Sequence, residues 1–197
     1  LSTRCLGEAV GTFILVFLGC GAVHTAVLTG ALAGLWQVAV VWALGVALAV
    51  FTVGGLSGAH INPTITVALA AWGRFPWRHV PEYVLSQTLG AFVAAAALFL
   101  LYGPYLAEKE RAKAVTRGGP GSEITASCYG EYFPNPGPLA GSPGPYSPEE
   151  HARLNLLVPE STAFFAEFLG TLILATVVFA LTDEANELAP ASLLAPA

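Results

Sequence analysis

Ser57-Gly58-Ala59-His60-Ile61-Asn62-Pro63-Thr64 is a polar, glycine-containing break inside sequence that is otherwise hydrophobic enough to live in lipid. Asn is a good helix N-cap and Pro suits the first helical position, so Asn62-Pro63 predicts a helix over 63–72. Ten residues at 1.5 Å rise give about 15 Å, roughly half a hydrocarbon core, so this helix should enter partway into a membrane and stop. Its beginning then lies at the midplane. Residues 58–61 are expected as extended backbone at membrane depth, which is tolerated only where it is buried in protein or lines a water-filled cavity. The alternative is an Asn-Pro turn in a loop between two spans, and the context around the motif weighs against it.

A half-helix N-terminus concentrates unpaired N–H groups and the positive end of the helix dipole on the path, which repels cations and protons. Asn62 offers amide donors beside it. The carbonyls of Gly58, Ala59 and His60 can replace the hydrogen bonds that a hydroxyl or water loses on leaving bulk solvent. Such a path passes neutral polar molecules and excludes ions.

Composition fixes the compartment class. The 197 residues are 55% hydrophobic and 11% charged, against about 25% charged in soluble domains, so the chain reads as an all-α integral membrane protein. The net charge of −5 includes no basic patch to recommend a nucleic-acid partner. Cys5, Cys20 and Cys128 give no disulfide framework or metal spacing, and no cofactor is implied. His24, His60 and His79 form no ligand spacing, and no nucleophile sits beside a base, so an enzyme is the weakest class of reading.

Four apolar runs are long enough to span, at about Leu6–Val27, Leu35–Val53, Glu82–Tyr102 and Ser161–Leu181. The first could be mistaken for a signal peptide, but it is long, holds Glu8 and is followed by further spans. Gly7 and Gly11 place small residues on one helix face for close packing. Trp36 suits an interfacial anchor, whereas Trp42 lies further in and needs a partner for its indole N–H. Gln87 is either interhelical glue or a pore-lining group. Arg74 and Arg78 in a short loop, with Arg4 before the first span, put residues before Glu8 and after Thr182 in the cytoplasm and 104–160 outside. That outer stretch holds 57 residues with nine prolines, and a connection so long is usually functional or disordered.

The first and fourth spans match. Gly7-Glu8-Ala9-Val10-Gly11-Thr12-Phe13-Ile14-Leu15 aligns with Ala166-Glu167-Phe168-Leu169-Gly170-Thr171-Leu172-Ile173-Leu174. With three spans between the repeat starts, the second copy faces the other way, the inverted-repeat plan of many transporters. The chain divides accordingly into a first repeat at 1–103, an outer connection at 104–160 and the start of a second repeat at 161–197. Glu8 and Glu167 are intramembrane acids, read either as proton or ion sites or as acceptors that brace a loop. The bracing role is preferred, with Glu167 expected to hold the loop around His60 and Glu8 its counterpart in the second repeat.

Together these residues resemble the aquaporin and glycerol-facilitator family: E-x-x-G-T in the first and fourth spans, and S-G-A-H-I-N-P-T where that family has S-G-A-H-x-N-P-A. The glycerol-facilitator branch is suggested by Tyr132-Phe133-Pro134-Asn135-Pro136, by Thr182-Asp183-Glu184-Ala185-Asn186 and by Trp42. The resemblance implies a passive channel for glycerol, water and similar small neutral solutes. It further implies a homotetramer, multi-pass in the plasma or inner membrane, with Trp42 in the selectivity constriction. A water-selective channel and an ion-coupled transporter using Glu8 and Glu167 are the alternatives. Thr64 departs from the family's Ala, adding a hydroxyl that either back-bonds to the helix or narrows the path. The family's second half-helix, filter Arg and last two spans do not occur within 1–197, and no Met opens the chain, so an incomplete member is expected.

Overall fold

Ser2 accepts a hydrogen bond from the Cys5 N–H at 3.3 Å and starts α1, Thr3–Thr29. Gly30, left-handed at φ 67°, closes it. Helix α2 covers Leu35–Ser57, α3 Pro63–Ala71 and α4 Val80–Ala112, the last preceded by a 3-10 turn at Trp77–His79. Short helices α5, Glu123–Ala126, and α6, Pro148–Leu157, come before α7, Glu160–Leu181. The computed structural model describes residues 2–32, 34–119, 121–131, 148–183 and 185–186, and contains no strand among them. The Tyr132–Pro136 stretch lies outside the described residues.

Helices α1, α2, α7 and the segment Trp77–Ala112 are long and apolar enough to cross a membrane, and α3 is the half-length fifth element. The architecture is that of an all-α, aquaporin-like membrane protein with four spans and one half-helix. Helix α1 is central, packed on α2 along one side and α4 along the other. Small residues set both approaches. A Cβ on Gly90 of α4 would lie 2.2 Å from the Ala9 carbonyl oxygen, so the α1 and α4 backbones touch there. On the other side a Cβ on Gly7 would lie 3.0 Å from Ser57 Cβ, and one on Gly11 would lie 2.7 Å from both Ile61 and Val53.

The third span does not stop at Tyr102. Helix α4 continues ten residues further, through Pro104, because Leu106-Ala107-Glu108-Lys109-Glu110-Arg111-Ala112 is composed of strong helix formers. Its 33 residues reach about 50 Å, longer than a hydrocarbon core is thick. Near its C-terminal end Glu110 binds Arg117 (2.9 Å) and the Thr125 hydroxyl (2.8 Å), folding the segment after α4 back onto the helix.

Candidate functional site: the re-entrant loop and half-helix

The loop between α2 and α3 is not extended, as the sequence suggested. Gly58, Ala59 and Ile61 have φ of 84°, 49° and 45°, and Asn62, at φ −151° and ψ 124°, is extended. The chain must reverse within five residues, and left-handed residues do this. Ala and Ile rarely adopt such angles, at a cost of about 1–3 kcal/mol each, so the surroundings must enforce them.

Glu8 enforces them. Its carboxylate, 0% exposed, accepts hydrogen bonds from four donors. Ser57 Oγ (2.7 Å) and His60 N–H (3.0 Å) reach Oε1; Ile61 N–H (2.7 Å) and Gln87 Nε2 (2.7 Å) reach Oε2. Every lone-pair site of the carboxylate is thereby filled. Ser57 Oγ also accepts from the Ala59 N–H at 3.1 Å, and the Tyr83 hydroxyl donates to the Ser57 carbonyl at 2.8 Å.

These bonds determine what the loop shows on its other side. In a trans peptide the carbonyl of one residue points opposite to the N–H of the next. The N–H groups of Ala59, His60 and Ile61 all turn to Ser57 and Glu8, so the carbonyls of Gly58, Ala59 and His60 turn away from α1. Among the described residues no donor reaches them.

The expected brace is therefore reassigned. Glu167 was to hold the loop around His60, yet it is exposed on α7, and the loop donors go to Glu8 of the same repeat. The reason is proximity: Glu8 lies between Gly7 and Gly11, and the two gaps that these glycines leave admit Ser57 and Ile61. Gln87 is glue, 1% exposed and bonded to both Glu8 and Thr66.

Thr66 and Asn62 organise the half-helix. Asn62 Oδ1 accepts from Thr64 N–H (2.8 Å) and Ile65 N–H (3.4 Å), which leaves the side-chain NH2 outside the cap. Pro63 follows at the first helical position, where no N–H is needed. Thr66 donates to the Asn62 carbonyl at 3.1 Å while lying 3.0 Å from Gln87 Nε2 and 3.1 Å from His60 Nδ1. With its one proton spent on Asn62, Thr66 can only accept from His60, so the network assigns the His60 proton to Nδ1 and leaves Nε2 bare. Phe75 and Tyr83 flank that ring at centroid distances of 4.7 and 5.0 Å. Thr64 is exposed, and among the described residues its hydroxyl makes no back-bond to the helix. Thr66 and Tyr83, and the bonding role of Ser57, are additions of the structure to the sequence analysis; the spacing of Thr66, four residues after the N-cap, is the available signal.

Trp42 stands apart from this cluster. Its ring lies on Gly19, where a Cβ would come within 2.4 Å, and its indole N–H has no partner among the described residues. Gly19 is eight residues C-terminal to Gly11, which touches Ile61, so Trp42 sits about 12 Å from the loop along α1. Among the described residues no group of three His, Cys, Asp or Glu is placed to hold a metal ion.

The chain is 37% identical over 196 residues to the glycerol uptake facilitator protein of Haemophilus influenzae, covering 100% of this chain and 66% of that protein. It is 36% identical over 193 residues to the glycerol uptake facilitator protein of Pseudomonas aeruginosa, covering 98% and 61%. The chain thus spans somewhat under two thirds of the length of these relatives. The X-ray structure of the aquaglyceroporin from Plasmodium falciparum matches with a TM-score of 0.51 and 34% identity, over 54% of this chain and 44% of that one. The model of the major intrinsic protein family matches residues 1–197. With its Asn-Pro half-helix braced from the first span, this chain belongs to the major intrinsic protein family.

Proposed function

We propose that the chain builds one side of a passive transmembrane channel for small neutral solutes, glycerol and water foremost, that excludes ions and protons. One observation carries this reading. Three successive carbonyls, of Gly58, Ala59 and His60, are turned away from α1 beside a helix N-terminus whose cap leaves the Asn62 amide NH2 unused. A hydroxyl moving past can donate to the carbonyls and accept from Asn62, exchanging water's hydrogen bonds for equivalent ones. A cation meets the positive end of α3 after shedding its hydration.

Trp42 supplies the apolar counterpart, a wall for the carbon side of a polyol about 12 Å outward of the loop. The glycerol relatives support this choice of solute. In this reading 1–103 and the chain from 161 onward are the two repeats, the 104–160 connection lies outside, and the protein works as a homotetramer in the plasma or inner membrane. The exposed apolar residues Trp36, Val40, Leu44, Leu48 and Phe51 on α2 give it a surface for lipid or a neighbouring protomer.

The test is stopped-flow light scattering on proteoliposomes holding the protein at its natural length. Trp42→His, a smaller and more polar wall, should lower the glycerol-to-water permeability ratio by about three- to tenfold. An unchanged ratio refutes the assignment of Trp42, and conduction of sodium or protons refutes the channel class.

A further inference from the structure

Helix α7 is the least enclosed of the long helices. Its half-buried residues over the second half, Thr171, Ala175, Val178 and Phe179, form one stripe, and the helix leans on α3. Its last turn holds no Lys, Arg or His, so the carbonyls at the negative end of its dipole have no cation of their own.

The cation comes from the other repeat. Just past α3 the chain turns at Gly73, φ 73°, and Arg74 N–H donates to the Leu69 carbonyl at 2.8 Å, which fixes where the Arg74 side chain departs. Its Nη1 lies 3.5 Å from the Phe179 carbonyl oxygen and 3.3 Å from Thr182 Oγ1, and its Nη2 lies 3.0 Å from Asp183 Oδ2. The guanidinium also sits 5.1 Å from the centre of the Phe179 ring, which Trp72 meets edge to face at 5.8 Å.

We propose that Arg74 is a C-cap for α7 supplied in trans, a positioning residue that fixes the second repeat to the inner end of the half-helix. An exposed ion pair alone contributes little. Here one planar fork serves a helix-terminal carbonyl, a hydroxyl and a carboxylate while stacking on a ring, and Lys could not match that geometry. Asp183 is prepared for the role: the Ala185 N–H on Oδ1 at 2.9 Å, and then Arg74, hold its carboxyl below the usual range. Helix α3 is thus held at both ends, by Glu8, Gln87 and Thr66 within its own repeat and by Arg74 on the other.

Hydrogen exchange read by mass spectrometry on the full chain tests this. Arg74→Ala should speed exchange at 179–183 and 70–74 by about threefold or more while α1 stays unchanged. Arg74→Asp combined with Asp183→Arg should restore protection that Arg74→Asp alone removes. Should Arg74→Ala fail to fold, Arg74→Lys, which keeps the charge and loses the fork, should give intermediate protection. Unchanged exchange at 179–183, equal acceleration in α1, or no recovery in the double variant overturns the proposal. In proteoliposomes Arg74→Ala should also lower glycerol permeability. That arm alone rests on the channel reading, and a silent wild-type protein would refute that reading while the exchange result stands.

Discussion

Replacing Glu8 by Gln changes one atom's chemistry without changing shape, and the four bonds to the carboxylate allow the outcome to be worked through. One oxygen becomes an NH2. If it takes the Oε1 position it faces Ser57 Oγ and the His60 N–H; Ser57 can turn its proton toward the Val53 carbonyl, already 3.4 Å away, and His60 N–H is left unsatisfied. If it takes the Oε2 position it faces the Ile61 N–H and Gln87 Nε2. Gln87 can flip, because its own Oε1 is buried and without a partner, but the flip breaks the bond to Thr66. Either way one backbone donor of the loop loses its acceptor, at about 1–3 kcal/mol, and the remaining bonds weaken from charged to neutral. A net loss of about 2–3 kcal/mol follows, or roughly 4–12 °C in melting temperature for a chain of this size. The left-handed residues make the effect functional as well as structural. Without its acceptor, the peptide at His60 or Ile61 is free to rotate, and the carbonyl at its other end leaves the row. Glycerol permeability should therefore fall by more than the loss of folded protein explains. Thermal denaturation in detergent, paired with stopped-flow flux normalised to folded protein, decides it. A Glu8→Gln protein that melts and conducts as wild type would refute the bracing argument.

Two further outcomes are expected. Gly90→Ala sets a methyl 2.2 Å from the Ala9 carbonyl oxygen, forcing α1 and α4 apart at a cost of about 2–3 kcal/mol, visible as a lowered melting temperature; a melt unchanged from wild type would show that the helices do not touch there. Glu123→Cys, exposed on α5, should react with a membrane-impermeant maleimide only from the outer face, against a low background because Cys5, Cys20 and Cys128 are all buried. Labelling from the cytoplasmic face alone would reverse the topology.

The half-helix was legible because its signals are local: an Asn cap, a Pro at the first position and an apolar run, which together locate α3 to within one residue of its observed end at Ala71. The four spans were legible from hydropathy. Partnerships were not. Two matching E-x-x-G-T segments cannot say which acid serves which loop, since symmetry permits bracing within a repeat or across repeats. The deciding signal was the pair of glycines on either side of Glu8, which open room for Ser57 and Ile61. The C-terminal end of α4 was hidden by its polarity: a search for apolar runs stops at Tyr102, while helix propensity carries the backbone on to Ala112. Arg74 was read only as a charge that sets topology, because Asp183 is more than a hundred residues distant in sequence.

The four-donor cage around Glu8 also imposes an order on biogenesis. Gln87 is 79 residues downstream of Glu8, and the loop donors are about 50 residues downstream. At roughly 5–20 residues per second, a ribosome needs about 4–16 s to deliver Gln87 after Glu8. For that interval the first span carries, five residues inside its start, an acid with few or none of its partners, and an unpaired intramembrane acid is costly. The cage around Glu8 closes, and the carbonyl row takes its final shape, only when the third span is in place.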